Sequence, residues 1–200
     1  MKNIVITSAK RTPIGKFMGG FGSLSASELG ALVLEEIIKD SALTKDQIDE
    51  VILGQVLTGG SGQNPARQTS CLTNIPDSKS ALTVNQVCGS GLRAISLGAQ
   101  SIMTGQSDIV LAGGQESMSN AHHTANLRNG IKMGDSQMKD SMIIDGLWCA
   151  MNDYHMGITA ENVAEKYKIN KDQQDQFAAN SQIKTEKAQK NDRFKDEIVP

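Results

Sequence analysis

Three short apolar runs, Val51-Ile52-Leu53-Gly54, Ala81-Leu82-Thr83-Val84 and Ile109-Val110-Leu111-Ala112, are each separated from the next by a segment of helical periodicity. Unbroken runs of this length suit strands buried on both faces, and the helical segments between them supply the crossovers that parallel strands need. An earlier run, Ile4-Val5-Ile6, reads as a further short buried strand, with a loop over Lys10-Arg11-Thr12-Pro13-Ile14-Gly15 after it. The expected class is therefore α/β: a layered fold with a mostly parallel mixed sheet flanked by helices. Aromatic residues make up only 4% of the chain, against 19 Gly and 9 Met, so the core must be aliphatic and packed across close backbone contacts. That suits a layered α/β protein better than a β-sandwich anchored on a Trp.

Helix starts are signalled in order. Ser25-Ala26-Ser27-Glu28 has capping-box spacing and precedes Leu29, Leu32, Val33 and Ile37 on one helical face. Thr44-Lys45-Asp46-Gln47 repeats the signal ahead of a short turn. Asn64-Pro65 reads as a cap followed by Pro at the first helical position. A helix beginning near Gly91 carries Leu92, Ile95, Ala99, Ile102 and Met103 on one side. Two more begin at Thr159-Ala160-Glu161-Asn162 and at Asn170-Lys171-Asp172-Gln173. Residues 117–157 are rich in Met, Asn, Gly and His with little periodicity, an excursion longer than a simple connector, and such loops tend to be functional. The closing stretch Phe194–Pro200 runs from polar to apolar, as if a strand were about to begin, so the sequence reads as interrupted.

Charge and cysteine usage exclude several classes. The net charge is −2 and no basic stripe is present, so nucleic acid is not an expected partner. The start lacks the apolar core of a signal peptide, and no apolar run approaches the roughly 18 residues of a spanning helix, so no membrane is expected either. The three cysteines are odd in number and far apart, which implies free thiols in a reducing compartment and a cytoplasmic protein.

The segment richest in chemistry is Val84-Asn85-Gln86-Val87-Cys88-Gly89-Ser90-Gly91-Leu92-Arg93-Ala94, where a buried strand gives way through a Gly-rich turn to an apolar helix. A cysteine at such a turn sits at the rim of the sheet, and the free N–H groups and dipole of the helix start favour a negative sulfur. The Cys88 N–H is then placed to donate to an oxyanion on an attacked carbonyl. From spacing alone, a nucleophile and a small core hydrophobe both remain open readings of Cys88. Cys71 and Cys149 lack this setting and read as core hydrophobes. Asn64 and Arg67 read as structural, His122-His123 as an exposed loop pair without a third ligand at metal-site spacing, and Lys184, Lys187 and Lys190 as a solvated helix face.

The run Val84–Ala94 closely resembles the nucleophile segment of the thiolases, enzymes that make or cleave acetoacetyl-CoA-type thioesters. Val51–Val56, Gly62–Gln68, Ala112–Ser119, Tyr154–Asn162 and Arg193–Pro200 also resemble thiolase segments in the expected order. The one departure noted is Gln115, where the family commonly has Met. The resemblance implies a core domain over residues 1–118 and part of an inserted loop domain, used for CoA binding and oligomerisation, over 119–200. It implies Cys88 as nucleophile of an acyl-thioester intermediate, its N–H as oxyanion donor, and His155 and Met156 as lining of the acyl pocket. His155 is not assigned as the base.

The implied reaction joins two acetyl-CoA into acetoacetyl-CoA and CoA, or reverses that, in fatty acid metabolism. The short-chain biosynthetic type is the nearer one. Coenzyme A would serve as substrate carrier with no other cofactor and no metal, in a homo-oligomer, dimer or tetramer, with Met133, Met138 and Met142 in subunit packing. The family's Asn-Glu-Ala-Phe and Gly-His-Pro segments and its second Cys turn do not occur here, so the resemblance implies the first half of a duplicated core, completed by a complementary C-terminal half. A non-catalytic remnant or split subunit is the alternative from another class. A ketoacyl synthase fits less well, because Asn64-Pro65-Ala66-Arg67 and His155-Met156-Gly157 suit thiolases better.

Overall fold

In the computed structural model, which describes residues 3–200, the run at Val51 forms the middle strand of a three-stranded sheet. Strand β1 (Glu50–Gly54), buried at every position, pairs in parallel with β2 (Ser80–Val84) on one side and β3 (Val110–Gly114) on the other. The register sets Gly54 beside both Val84 and Gly114, so the three strands end together at one rim. Helix α1 (Ala26–Asp40) precedes the sheet, α2 (Pro65–Leu72) crosses from β1 to β2, and α3 (Ser90–Met103) crosses from β2 to β3. Alternation along the strands divides the contacts between two faces. Val51, Leu53 and Leu111 join Leu34 and Ile38 of α1, Ala66 of α2, and Ile48 and Ile75 in one cluster. The other face takes α3, whose Gly98 lies against Val110 and Ala112. The expected layered α/β fold with a parallel sheet between helices is the one formed.

The starts of α1 and α2 follow the local signals, whereas the helix expected from Thr159 begins at Met156, with His155 as its cap. At α1, the Ser25 hydroxyl accepts from the Glu28 N–H at 3.2 Å while the Ser25 N–H donates to the Glu28 carboxylate at 2.7 Å. At α2, the Asn64 side-chain oxygen accepts from the Arg67 N–H at 3.2 Å and from the Thr83 hydroxyl at 2.8 Å, and its amide donates to the Ala81 carbonyl at 3.0 Å. One side chain thus both caps α2 and ties it to β2. Arg67 donates to the Lys79 carbonyl, the structural role read from its place one turn into the helix.

Three expectations are corrected. Strand β2, expected to be buried, has no buried position, with Leu82 43% exposed. Ile4-Val5-Ile6 is not a buried strand: Val5 is 74% and Ile6 75% exposed, and among the described residues no strand pairs with this run. A short apolar run needs a neighbour to complete its hydrogen bonds, and β2 and β3 pair only with β1. Cys71 is not a core residue but is exposed, because α2 turns Pro65, Ala66, Thr69 and Ser70 inward and Cys71 outward.

Helix α3 turns its small residues, Ser90, Ala94, Gly98 and Ser101, toward the sheet, while Leu92, Ile95 and Met103 are 75%, 41% and 49% exposed. The strand ends beneath it are glycine-rich and approach the helix backbone too closely for large side chains.

The chain divides into two compact units, one ending at Gly146 and taking in Val199–Pro200, the other spanning Leu147–Ile198. The break thus falls after Gly146, whereas the sequence texture changes near Met118. Residues past Met118 still bond within the first unit: the Ser119 hydroxyl accepts from the Met18 N–H at 2.9 Å, and Asn120 donates to the Leu24 carbonyl at 2.7 Å. Two-residue strands β4 (His123–Thr124) and β5 (Lys139–Asp140) pair antiparallel there, with Met133 93% and Met138 68% exposed. The second unit holds the hairpin β6 (Trp148–Cys149) and β7 (Tyr154–His155), then α4 (Met156–Tyr167) and α5 (Lys171–Lys190). Helix α5 starts at the expected Asn170 capping box and has no buried residue, so Lys184, Lys187 and Lys190 are solvated. No helix of the described residues is long and apolar enough to cross a membrane.

Candidate active site

Beyond Val84 the chain turns sharply before α3 begins. The Asn85 side-chain oxygen accepts from the Val87 N–H at 2.9 Å, and the Gly89 and Ser90 N–H groups donate to the Gln86 and Val87 carbonyls, each at 3.1 Å. From the helix side, the Ser90 hydroxyl accepts from the Gln86 N–H at 2.8 Å and donates to the Val87 carbonyl at 2.6 Å. At the apex, Val87 has φ of 49°, in a region that β-branched residues rarely occupy. The turn leaves Cys88 exposed, one residue ahead of the α3 cap Gly89 and past the carboxyl ends of the three strands. Open α/β sheets bind their ligands at that rim, and the N–H groups and dipole of a helix start favour an anion there.

Two glycines allow the helix to come this close. A β-carbon on Gly54 would lie 2.5 Å from the carbonyl carbon and side-chain carbon of Ser90, and one on Gly114 would lie 3.3 Å from the Gly91 α-carbon. Behind the rim runs a buried polar network. The Gln115 amide donates to the Gln55 oxygen at 3.0 Å and to the Ser27 hydroxyl at 3.4 Å, and the Gln115 oxygen accepts from the Thr69 hydroxyl at 2.7 Å. The neighbouring Glu116 carboxylate accepts from the Val56 N–H at 2.8 Å and the Leu57 N–H at 3.3 Å. Burial pushes its carboxyl above the ordinary range, against these two amides, which pull it down. Gly54, Ser90 and Gln115 stand in segments singled out from the sequence, but the sequence reading gives none of them a role in the site. Only the unexpected glutamine at 115 gave a sign, since long-range contacts leave no periodic trace.

His155 and Met156 belong to the second unit. The His155 ring caps α4, its Nδ1 accepting from the Gly157 N–H at 3.0 Å, so the neutral ring carries its proton on Nε2. Met156 is 36% exposed. Cys149 is buried, as expected, yet its surroundings are not apolar. The Asn152 side-chain amide donates to its sulfur at 3.2 Å, and with the backbone N–H groups of Asn152 and Met151 it holds the thiol below the usual range. Burial denies that thiol the access a nucleophile needs. His122 bonds through Nδ1 to the Gly59 carbonyl at 3.1 Å, beside a polar cavity of about 330 Å³ at the start of α1 that does not include Cys88. Among the described residues no group of three His, Cys, Asp or Glu is placed to hold a metal.

Comparison with known proteins accords with this geometry. The chain is 58% identical over its whole length to an acetyl-CoA acetyltransferase of Allochromatium vinosum, covering 51% of that protein. It is 54% identical over its whole length to an acetyl-CoA acetyltransferase of Paracoccus denitrificans, again covering 51%. The chain thus spans about half the length of the curated relatives it matches. The crystal structure of the Acat5 thiolase from Ascaris suum in complex with coenzyme A superposes with a TM-score of 0.92 at 42% identity, over 96% of this chain and 50% of that one. The family profile described as thiolase, N-terminal domain, matches residues 4–200. With the parallel sheet, the Cys88 turn and this match in agreement, the chain belongs to the thiolase family.

Proposed function

We propose that these residues carry the nucleophile of a thiolase that joins two acetyl-CoA molecules into acetoacetyl-CoA and CoA, and that runs the reverse cleavage. The observation that supports this most is Cys88, exposed at the α3 start beyond the strand ends, in a chain similar along its whole length to acetyl-CoA acetyltransferases. The Cys88 thiolate attacks the thioester carbonyl of acetyl-CoA, a new C–S bond forms, and CoA leaves as a thiolate that takes up a proton. The Cys88 N–H donates to the oxyanion of the tetrahedral intermediate. A second acetyl-CoA, deprotonated at its methyl carbon, then attacks the Cys88 thioester, which releases acetoacetyl-CoA and restores the thiolate. In this reading, as the family resemblance implies, His155 and Met156 contribute to the lining of the acyl pocket. Coenzyme A enters as substrate carrier, with no further cofactor. The working form is a cytoplasmic homo-oligomer, dimer or tetramer, in fatty acid metabolism, and the acid–base groups come from a complementary C-terminal half.

The test is acetyl transfer. Incubated with acetyl-CoA, a polypeptide of these 200 residues should take up an acetyl group on Cys88 slowly, as read by peptide mass mapping. Its steady-state thiolysis of acetoacetyl-CoA should stay near background, because acid–base groups contribute about 100- to 10,000-fold and an oxyanion donor about 100- to 1,000-fold. Adding the C-terminal half of a close relative should raise turnover, and Cys88→Ala should abolish the gain. Turnover that survives Cys88→Ala, or acetyl uptake at Cys71 in place of Cys88, would refute the assignment.

A further inference from the structure

We propose that Ser90 is a positioning residue for Cys88: its hydroxyl staples the turn that keeps Val87 in the left-handed region, and so fixes the sulfur beyond the sheet rim. The inference rests on the reading of Cys88 as nucleophile. Ser90 is 4% exposed, and its hydroxyl bonds the chain on both sides of the Val87 nitrogen and α-carbon, accepting from the Gln86 N–H and donating to the Val87 carbonyl. The α3 N-cap, Gly89, has no side chain with which to cap the helix, and the Ser90 hydroxyl reaches back to the turn.

The turn needs holding. Val87 at φ 49° is strained, and the residue is 48% exposed, so side-chain packing does not impose the conformation. Strain of this kind persists only where the surroundings over-determine it. Here the restraint passes from the buried strand end Gly54, against which the Ser90 backbone sits, through the Ser90 hydroxyl to Val87, and from there to Cys88.

The experiment follows alkylation of the intact 200-residue chain by iodoacetamide, with the Cys88 rate normalised to Cys71 in the same unit by peptide mapping. Ser90→Ala should lower the normalised Cys88 rate about fivefold or more, the change expected when a buried hydrogen bond is lost and the sulfur leaves the helix start. Val87→Gly in the Ser90→Ala background should recover most of that loss, because glycine holds φ near 49° without strain. A general loosening of the fold would not be rescued this way. A Ser90→Ala chain that labels like the parent, or a double variant as slow as Ser90→Ala, would overturn the proposal. Should Ser90→Ala not fold, Val87→Asn alone decides, because asparagine tolerates positive φ without the chain-entropy cost of glycine: a raised Tm shows the strain, and an unchanged or lowered Tm denies it. Acetyl uptake from acetyl-CoA is scored in parallel on the parent chain. If Cys88 takes up no acetyl group while its alkylation still responds as described, the nucleophile reading fails and the staple stands.

Discussion

Replacing Gly54 by Ala tests whether α3 truly abuts the end of β1. The new methyl would sit 2.5 Å from two Ser90 carbons and 2.8 Å from the Gly91 nitrogen. Carbon atoms pack comfortably at about 3.5–4.0 Å, so relief requires a movement of roughly 1 Å. The obstacle is backbone, not the end of a flexible side chain, and Gly54 is buried between β2 and β3, so the strand cannot yield either. Overpacking of this kind costs about 1–3 kcal/mol, and the upper end applies. The lower chain entropy of an unfolded Ala returns about 0.4–1 kcal/mol, which leaves a net loss of about 2 kcal/mol. For a chain of this size that lowers Tm by roughly 4–8 °C. Thermal melts followed by circular dichroism measure it, with Cys88 alkylation as a second readout of the displaced helix start. A Gly54→Ala chain that melts within a degree or so of the parent would refute the close contact, and with it the route from β1 to Ser90.

Three further outcomes are expected. Gln115→Met should destabilise by about 1–3 kcal/mol in denaturant titrations, because the Gln55 oxygen loses its donor in a buried site; an unchanged midpoint would show that water or a side-chain shift replaces Gln115. Asp49 accepts from the Asp108 and Ile109 N–H groups at 2.8 and 3.0 Å, bonds that with nearby Lys79 hold its carboxyl below the ordinary 3.8. A lowered folded pKa means stability that is present above the unfolded value and lost as pH falls through the folded one. Asp49→Asn should therefore cost about 1 kcal/mol at pH 7, a figure reduced for partial exposure, and the two chains should converge well below pH 3.8; a gap that persists in acid would refute the charge as its origin. Finally, the exposed α3 face should bind a hydrophobic dye or drive self-association, and Leu92→Gln with Met103→Gln should reduce both while leaving Tm nearly unchanged. A parent chain that is monodisperse and dye-silent would contradict this.

Much of the site was legible because its signals are local. The capping boxes at Ser25 and Asn170 and the Asn64-Pro65 start each lie within one helical turn, and each side chain meets its partner as the spacing requires. The strand, Gly-rich turn and helix around Cys88 are contiguous in sequence, so the placement of the sulfur at a helix start followed from order alone.

The inward side of α3 was not legible in the same way. A helical pattern identifies the apolar stripe but not what lies opposite it, and here the small residues meet the glycine-rich strand ends while Leu92 and Met103 stay outside. Ile4-Val5-Ile6 has the composition of a strand, yet a strand is defined by its neighbour, and none of the described strands pairs with it. The Gln55–Thr69–Gln115 network and the contact of Gly54 with Ser90 join residues dozens of positions apart. Local order along the chain set the elements, their caps and the position of Cys88, because backbone hydrogen bonding and turn chemistry act over a few residues. The choice of buried face, the polar network and the restraint on Val87 arose only in the folded state, because packing depends on surfaces that distant segments bring together.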